Sequence, residues 1–113
     1  SIRLRGQPMS QSLFASRVLE GRICLTPEVD RVLEIEQIDD LLGRYIGGDY
    51  GDVSQIQEAN NVQAVFEGSK VEGRYDVGGQ PIRVVTEAGW SDNAASAVTT
   101  FLPQAGHGGC GRG

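Results

Sequence analysis

The residue types best suited to chemistry are concentrated first in residues 41–52, Leu-Leu-Gly-Arg-Tyr-Ile-Gly-Gly-Asp-Tyr-Gly-Asp. Arg44 offers a planar fork of donors for a carboxylate or phosphate. Asp49 is an acceptor or base, and Tyr50 brings a ring with a polar tip. A second set, Arg74, Tyr75, Arg83 and Glu87, lies further on. Two arginines on a phosphate with a glutamate as base is chemistry that a small ribonuclease-like enzyme would use. Asn61 and the sole tryptophan, Trp90, complete the candidate binding residues. Each has a structural alternative. Arg44, Asp49 and Tyr50 can cap and wedge a helix corner, and Asn61 can tie backbone groups. Arg74 and Arg83 can share Glu72, Glu87 can pair with Lys70, and Trp90 can fold back as a lid on the core rather than serve as an exposed contact.

The elements that must hold these residues follow from periodicity. Ile38, Leu41, Leu42, Tyr45 and Ile46 recur at i, i+3, i+4, i+7 and i+8, the pattern of one helix face. Asp40 and Arg44 fall four apart on the opposite face. Gly47 and Gly48 stop that helix, and Asp52 or Ser54 can cap the next one. Thr26-Pro27-Glu28 is a strong start for a short helix running to about Ile35. A third helix is predicted from about Val53 to Phe66, with Val53, Ile56, Ala59, Val62, Val65 and Phe66 as its apolar stripe, ended by Gly68.

The period then changes to two. Residues 70–77 and 80–87 flank Gly78-Gly79, a two-residue hairpin turn. That turn sets Tyr75 opposite Ile82, Gly73 opposite Val84 and Val71 opposite Thr86, which gathers the apolar side chains on one face. Arg74 then sits beside Arg83, a pairing that needs an acid or anion between them, and Glu72 is placed to supply it. Pro81, lacking a donor, points to an open edge. Arg22-Ile23-Cys24-Leu25 reads as a first strand and residues 97–102 as a last one. The expectation is an α+β domain over residues 11–104: an N-terminal strand, three short helices, then a three-stranded antiparallel meander with the helices on one face. Residues 1–10 read as a disordered extension, with Met9, the sole methionine, as a natural start. Residues 105–113 read as a flexible glycine-rich tail.

Composition narrows the function classes. The chain has 113 residues, 39% of them hydrophobic, and a formal net charge of −5. Setting aside Arg3, Arg5 and Arg112 near the ends leaves 7 basic against 15 acidic residues, a body of −8. Such a body repels nucleic-acid phosphates, so nucleic acid is not the expected partner. No apolar run approaches the roughly 20 residues of a membrane span. Two cysteines, Cys24 and Cys110, form no disulfide framework. Reduced thiols and a cytoplasmic setting are expected. There is no phosphate loop with Gly-Lys-Ser/Thr, no dinucleotide glycine fingerprint after a strand, and no Cys-x-x-Cys pair. The only histidine, His107, lies in the tail, where with Cys110 it makes no metal site. No catalytic cluster, metal or cofactor is expected.

Four segments in order carry a resemblance. They are Arg44-Tyr45 with Gly48-Asp49-Tyr50-Gly51; Asn61 with Ala64-Val65; Gly68-Ser69-Lys70 through Arg74-Tyr75; and residues 82–87 followed by 98–103. Over about residues 20–103 the chain resembles a family of short bacterial proteins carried on plasmids, phages, integron cassettes and other mobile DNA. The chain departs from that family in a longer 88–96 loop and in lacking an acidic-tyrosine ending after the proline. Some of those proteins bear a label as a type I restriction subunit, yet 113 residues without a cofactor loop or catalytic tetrapeptide cannot hold a methyltransferase. The resemblance implies a mobile-element accessory protein. The leading expectation is therefore a non-enzymatic protein-binding or regulatory module, acting on a host or mobile-element protein. A ribonuclease-like enzyme and a structural homo-oligomer or homodimer are the alternatives.

Overall fold

The computed structural model describes residues 9–93 and 96–104. In chain order the elements are α1 (Met9–Glu20), β1 (Arg22–Leu25), α2 (Pro27–Val32), α3 (Ile35–Ile46), α4 (Gln55–Glu67), β2 (Val71–Val77), β3 (Gln80–Thr86) and β4 (Val98–Pro103). The α+β class holds. The strands form one four-stranded sheet in the order β1-β4-β3-β2. The expected antiparallel meander is present as β2-β3-β4, but β1 adds to it in parallel beside β4. β3 is thus a central strand, and the open edge expected at Pro81 does not exist: Gln104 N–H donates to the Pro81 carbonyl at 3.2 Å.

A fourth helix, α1, precedes the first strand and begins at Met9, inside the stretch expected as an extension. Its apolar residues explain why it is hard to see in the sequence. Phe14 and Val18, four apart, are fully buried, while Leu13 and Leu19 are exposed. The apolar set is split between two faces and shows no clean stripe.

The hairpin follows its glycines. Gly78 and Gly79 both have positive φ, at 59° and 85°, as a tight two-residue turn requires. Asp76 Oδ1 accepts from Gly79 N–H at 2.9 Å. Tyr75 lies opposite Ile82, Gly73 opposite Val84 and Val71 opposite Thr86, in the register the alternation dictates.

All four helices contribute to one apolar cluster, and its strand residues come from a single face of the sheet, among them Val71, Tyr75, Ile82, Val84 and Phe101. Phe14 sits at its centre, edge-on to Tyr45 at 5.5 Å and to Trp90 at 4.9 Å between ring centroids. A buried polar thread crosses this core. The Tyr45 hydroxyl donates to the Val71 carbonyl at 2.9 Å and lies 2.8 Å from Thr86 Oγ1, which lies 2.8 Å from Thr99 Oγ1. Each buried hydroxyl therefore has a partner, as burial demands.

Cys24 is buried in β1, as its place in an apolar strand suggests. Cys110, His107 and the rest of the expected tail lie outside the described residues, as do residues 1–8. No helix among the described residues is long and apolar enough to cross a membrane.

Candidate functional site

Four of the nine candidate residues meet at the corner between α3 and α4. α3 buries Ile38, Leu41 and Tyr45, the face its periodicity marks, and so presents Arg44 to solvent in its last turn. Arg44 Nε reaches Asp49 Oδ2 at 2.9 Å, and a second guanidinium nitrogen lies 3.4 Å from Asp49 Oδ1. The partner is Asp49 rather than the Asp40 suggested by helical spacing. Asp49 Oδ1 also accepts from Gly51 N–H at 3.1 Å. The Arg44 guanidinium carbon stands 5.0 Å from the centroid of the Tyr75 ring, and the Tyr75 hydroxyl donates to the Asp49 carbonyl at 2.7 Å. Tyr50 is buried edge-on to Tyr45, at 6.0 Å.

The electrostatics of the corner are those of a closed tie. The Arg44 guanidinium and the Gly51 N–H hold the Asp49 carboxyl below its usual range, and Asp49 raises Arg44 in return. Burial pushes all three tyrosine hydroxyls, Tyr45, Tyr50 and Tyr75, above the ordinary phenol range. None of these phenols is poised to exchange a proton near neutral pH.

The same corner is laced to β2 through backbone. Arg74 N–H donates to the Tyr50 carbonyl at 2.9 Å, and Asp52 N–H donates to the Arg74 carbonyl at 2.7 Å. Gly51 makes this approach possible. Its φ is +73°, and a Cβ there would collide with the Arg74 carbonyl and the Tyr75 ring. Two residues along β2, Asn61 repeats the device with a side chain. Its Nδ2 donates to the Glu72 carbonyl at 2.7 Å, and its Oδ1 accepts from Glu72 N–H at 3.1 Å and from Gln57 Nε2 at 3.0 Å. Asn61 has no exposed surface. Asp49 and Asn61 thus line the same side of β2. Glu87 sits apart at the end of β3, its N–H on the Val98 carbonyl at 3.1 Å. It forms no ion pair with Lys70 among the described residues.

The arginines of the hairpin lie on the other face of the sheet from Tyr75. Arg74 and Arg83 are cross-strand partners. Glu72 Oε2 lies 3.0 Å from Arg74 Nε and 3.8 Å from Arg83 Nε, supplying the acid that the pairing needs. The set Arg74, Arg83, Glu87 and Tyr75 is therefore not assembled: Tyr75 points into the core, 1% exposed. Trp90 is not an exposed loop contact either. It has no exposed surface, and its indole N–H donates to the Ser69 carbonyl at 2.8 Å.

A cleft of about 270 Å³ lies between α2 and the β3–β4 end, bordered by Glu28, Val29, Val32, Ile82 and Pro103. No candidate residue borders it, and it falls below the roughly 300–1,000 Å³ usual for ligand pockets.

The surface feature that sequence reasoning missed is on α4. Ser54 caps this helix as expected, its Oγ accepting from Gln57 N–H at 3.0 Å. The buried face, however, is Asn61, Ala64 and Val65. Most of the predicted stripe faces outward: Ile56 is 75% exposed, Phe66 67% and Val62 55%. The sequence did hold a signal, since Asn61, Ala64 and Val65 also recur at three and four residues. Hydrophobicity alone favoured the wrong face.

Comparison with protein-family models, with curated proteins and with solved structures finds no match.

Proposed function

We propose that this chain is a non-enzymatic protein-binding module of the accessory kind implied by its resemblance to short mobile-element proteins, with a host or mobile-element protein as its partner. The observation that supports the reading is the outward apolar stripe of α4. Three large apolar side chains on one capped helix, each more than half exposed, carry an unpaid solvation cost, and contiguous exposed apolar surface of this kind is a mark of association. The residues with chemical potential support it from the other side, because Arg44, Asp49, Tyr75 and Asn61 are spent on holding the 47–52 segment and α4 against β2. The ribonuclease-like alternative has no assembled set behind it.

The test is a photo-crosslinking amino acid placed at position 66, or at position 83 on the opposite sheet face, in cells that produce the protein. The expected result is one discrete adduct from position 66 and none from position 83. Absence of any adduct from positions 56, 62 and 66 would overturn the reading. The setting is a separate question. The cytoplasm, with Cys24 and Cys110 as reduced thiols, is the expectation from the sequence. Alkylation in denaturant without reductant, on protein from its native source, tests it: full labelling of both cysteines supports the cytoplasm, and protection of both overturns it.

A further inference from the structure

The charge around the α4 stripe says what kind of partner it fits. On α4, Ile56, Ala59, Val62 and Phe66 follow one another at three, three and four residues, opposite the buried Asn61, Ala64 and Val65. The stripe is bordered by Glu58 on one side and Glu67 on the other, and α4 carries no basic residue. The imbalance extends further: between Arg44 and Lys70 the chain holds Asp49, Asp52, Glu58 and Glu67 and not one cation. Asp49 is neutralised by Arg44. Among the described residues Glu67 receives only neutral donors, Gln63 Nε2 at 2.7 Å and Ser69 Oγ at 3.5 Å, so its negative charge is steadied rather than cancelled.

Resting on the binding-module reading, we infer that α4 docks a cationic amphipathic helix, whose apolar face covers Ile56, Val62 and Phe66 and whose lysines or arginines meet Glu58 and Glu67. The 13 residues of α4 span about 20 Å, which matches a partner helix of roughly four turns. Helix-on-helix packing buries apolar stripes of this width, and the flanking acids choose the partner's sign and speed the encounter. The same acids exclude a second copy as the occupant. Two α4 helices packed face to face bring glutamates together along both borders with no cation between them, and like charges across a seam cost free energy. An anionic lipid surface is repelled for the same reason.

The experiment uses three 14-residue amphipathic helical peptides with one leucine face and a polar face of lysine, glutamine or glutamate. Each is titrated into the full ¹⁵N-labelled chain while backbone amide shifts are followed. The lysine peptide is expected to move the amides of residues 55–67 saturably, and the glutamate peptide to leave them still. Phe66→Ser should weaken the lysine peptide about tenfold, and Glu58→Gln with Glu67→Gln should weaken it and flatten its salt dependence. Circular dichroism checks that each variant is folded. If the glutamine peptide binds α4 as tightly as the lysine peptide, the cationic preference is overturned while the binding surface stands. If no peptide moves α4, if Phe66→Ser changes nothing, or if the shifts scatter over the acidic surface, the surface itself is overturned. A dimer on light scattering that Phe66→Ser dissolves would make the occupant a second copy and overturn the inference.

Discussion

α3 and α4 are neighbours in sequence, 12 and 13 residues long, and they treat their apolar residues in opposite ways. α3 turns Ile38, Leu41 and Tyr45 into the core and leaves Arg44 outside. α4 turns an asparagine and the modest Ala64 and Val65 inward and leaves Ile56, Val62 and Phe66 outside. The difference comes from what each helix meets. α3 sends its own Tyr45 edge-on against Phe14 and Tyr50 in the apolar cluster, where large apolar side chains gain most from burial. α4 lies along the backbone of β2, where Glu72 has an N–H and a carbonyl to satisfy. A buried amide that answers both is worth more there than another methyl group. What a helix buries is set by the chemistry of its neighbour as well as by its own hydrophobicity.

The contrast makes several measurable claims, the strongest first. Leu41→Ala, on the buried side of α3, is expected to cost about 2–5 kcal/mol by removing core volume, read as a lower urea midpoint at unchanged slope. Asn61→Leu keeps the size and raises the hydrophobicity of α4, yet should destabilise by about 2–3 kcal/mol by leaving the Glu72 backbone groups unpaired. A gain in stability would break the comparison.

Alkaline titration reads the buried side of α3 directly. The chain has three tyrosines, and burial raises the folded pKa of each above the usual value near 10. Their contribution to stability is therefore complete below about pH 10 and is lost as pH rises past it. The tyrosinate absorbance at 295 nm should stay flat through pH 10 and then rise together with loss of helical circular dichroism. A separate step at pH 10 would show an exposed phenol.

Arg44→Gln tests the corner between the helices. The pair is solvent-exposed, with side chains 43% and 56% accessible, so the loss should stay under about 1 kcal/mol and shrink with added salt. Because Arg44 depresses the Asp49 pKa, that contribution is present above the usual carboxylate value near 4 and fades as pH falls through the lowered one. Wild type and variant should converge in the most acidic buffers. Smallest of all, Phe66→Ser on the outward side of α4 should alter stability by no more than about 0.5 kcal/mol. A loss of 2 kcal/mol would mean that Phe66 is a core residue and that the two helices do not differ.

The parts legible in the sequence are those in which one signal has one meaning. Gly78-Gly79 allows a single turn, and the alternation of Val71, Gly73 and Tyr75 then fixes the register. Glu72 between Arg74 and Arg83 could likewise be read from cross-strand geometry. α1 escaped because two of its apolar residues face the core and two face water. The parallel addition of β1 to β4 escaped because nothing local in Arg22–Leu25 names a partner that lies beyond the hairpin. At the candidate site, the tie between Arg44 and Asp49 crosses a helix end, where helical spacing no longer applies. Tyr75 and Trp90 looked available because aromatic side chains serve cores and contacts equally well, and only packing tells the two apart.

The pairing of β1 with β4 also has a consequence in time. Arg22 meets Val98 and Leu25 meets Phe101, so the strand made early has no sheet neighbour until the strand made late has left the ribosome. At synthesis rates of 5–20 residues per second that interval is roughly 4–15 s. The β2–β3 hairpin, closed by two glycines, needs only microseconds once it emerges. The nascent chain therefore carries β1 without its sheet neighbour for several seconds, and the four-stranded sheet can close only after synthesis has passed residue 98.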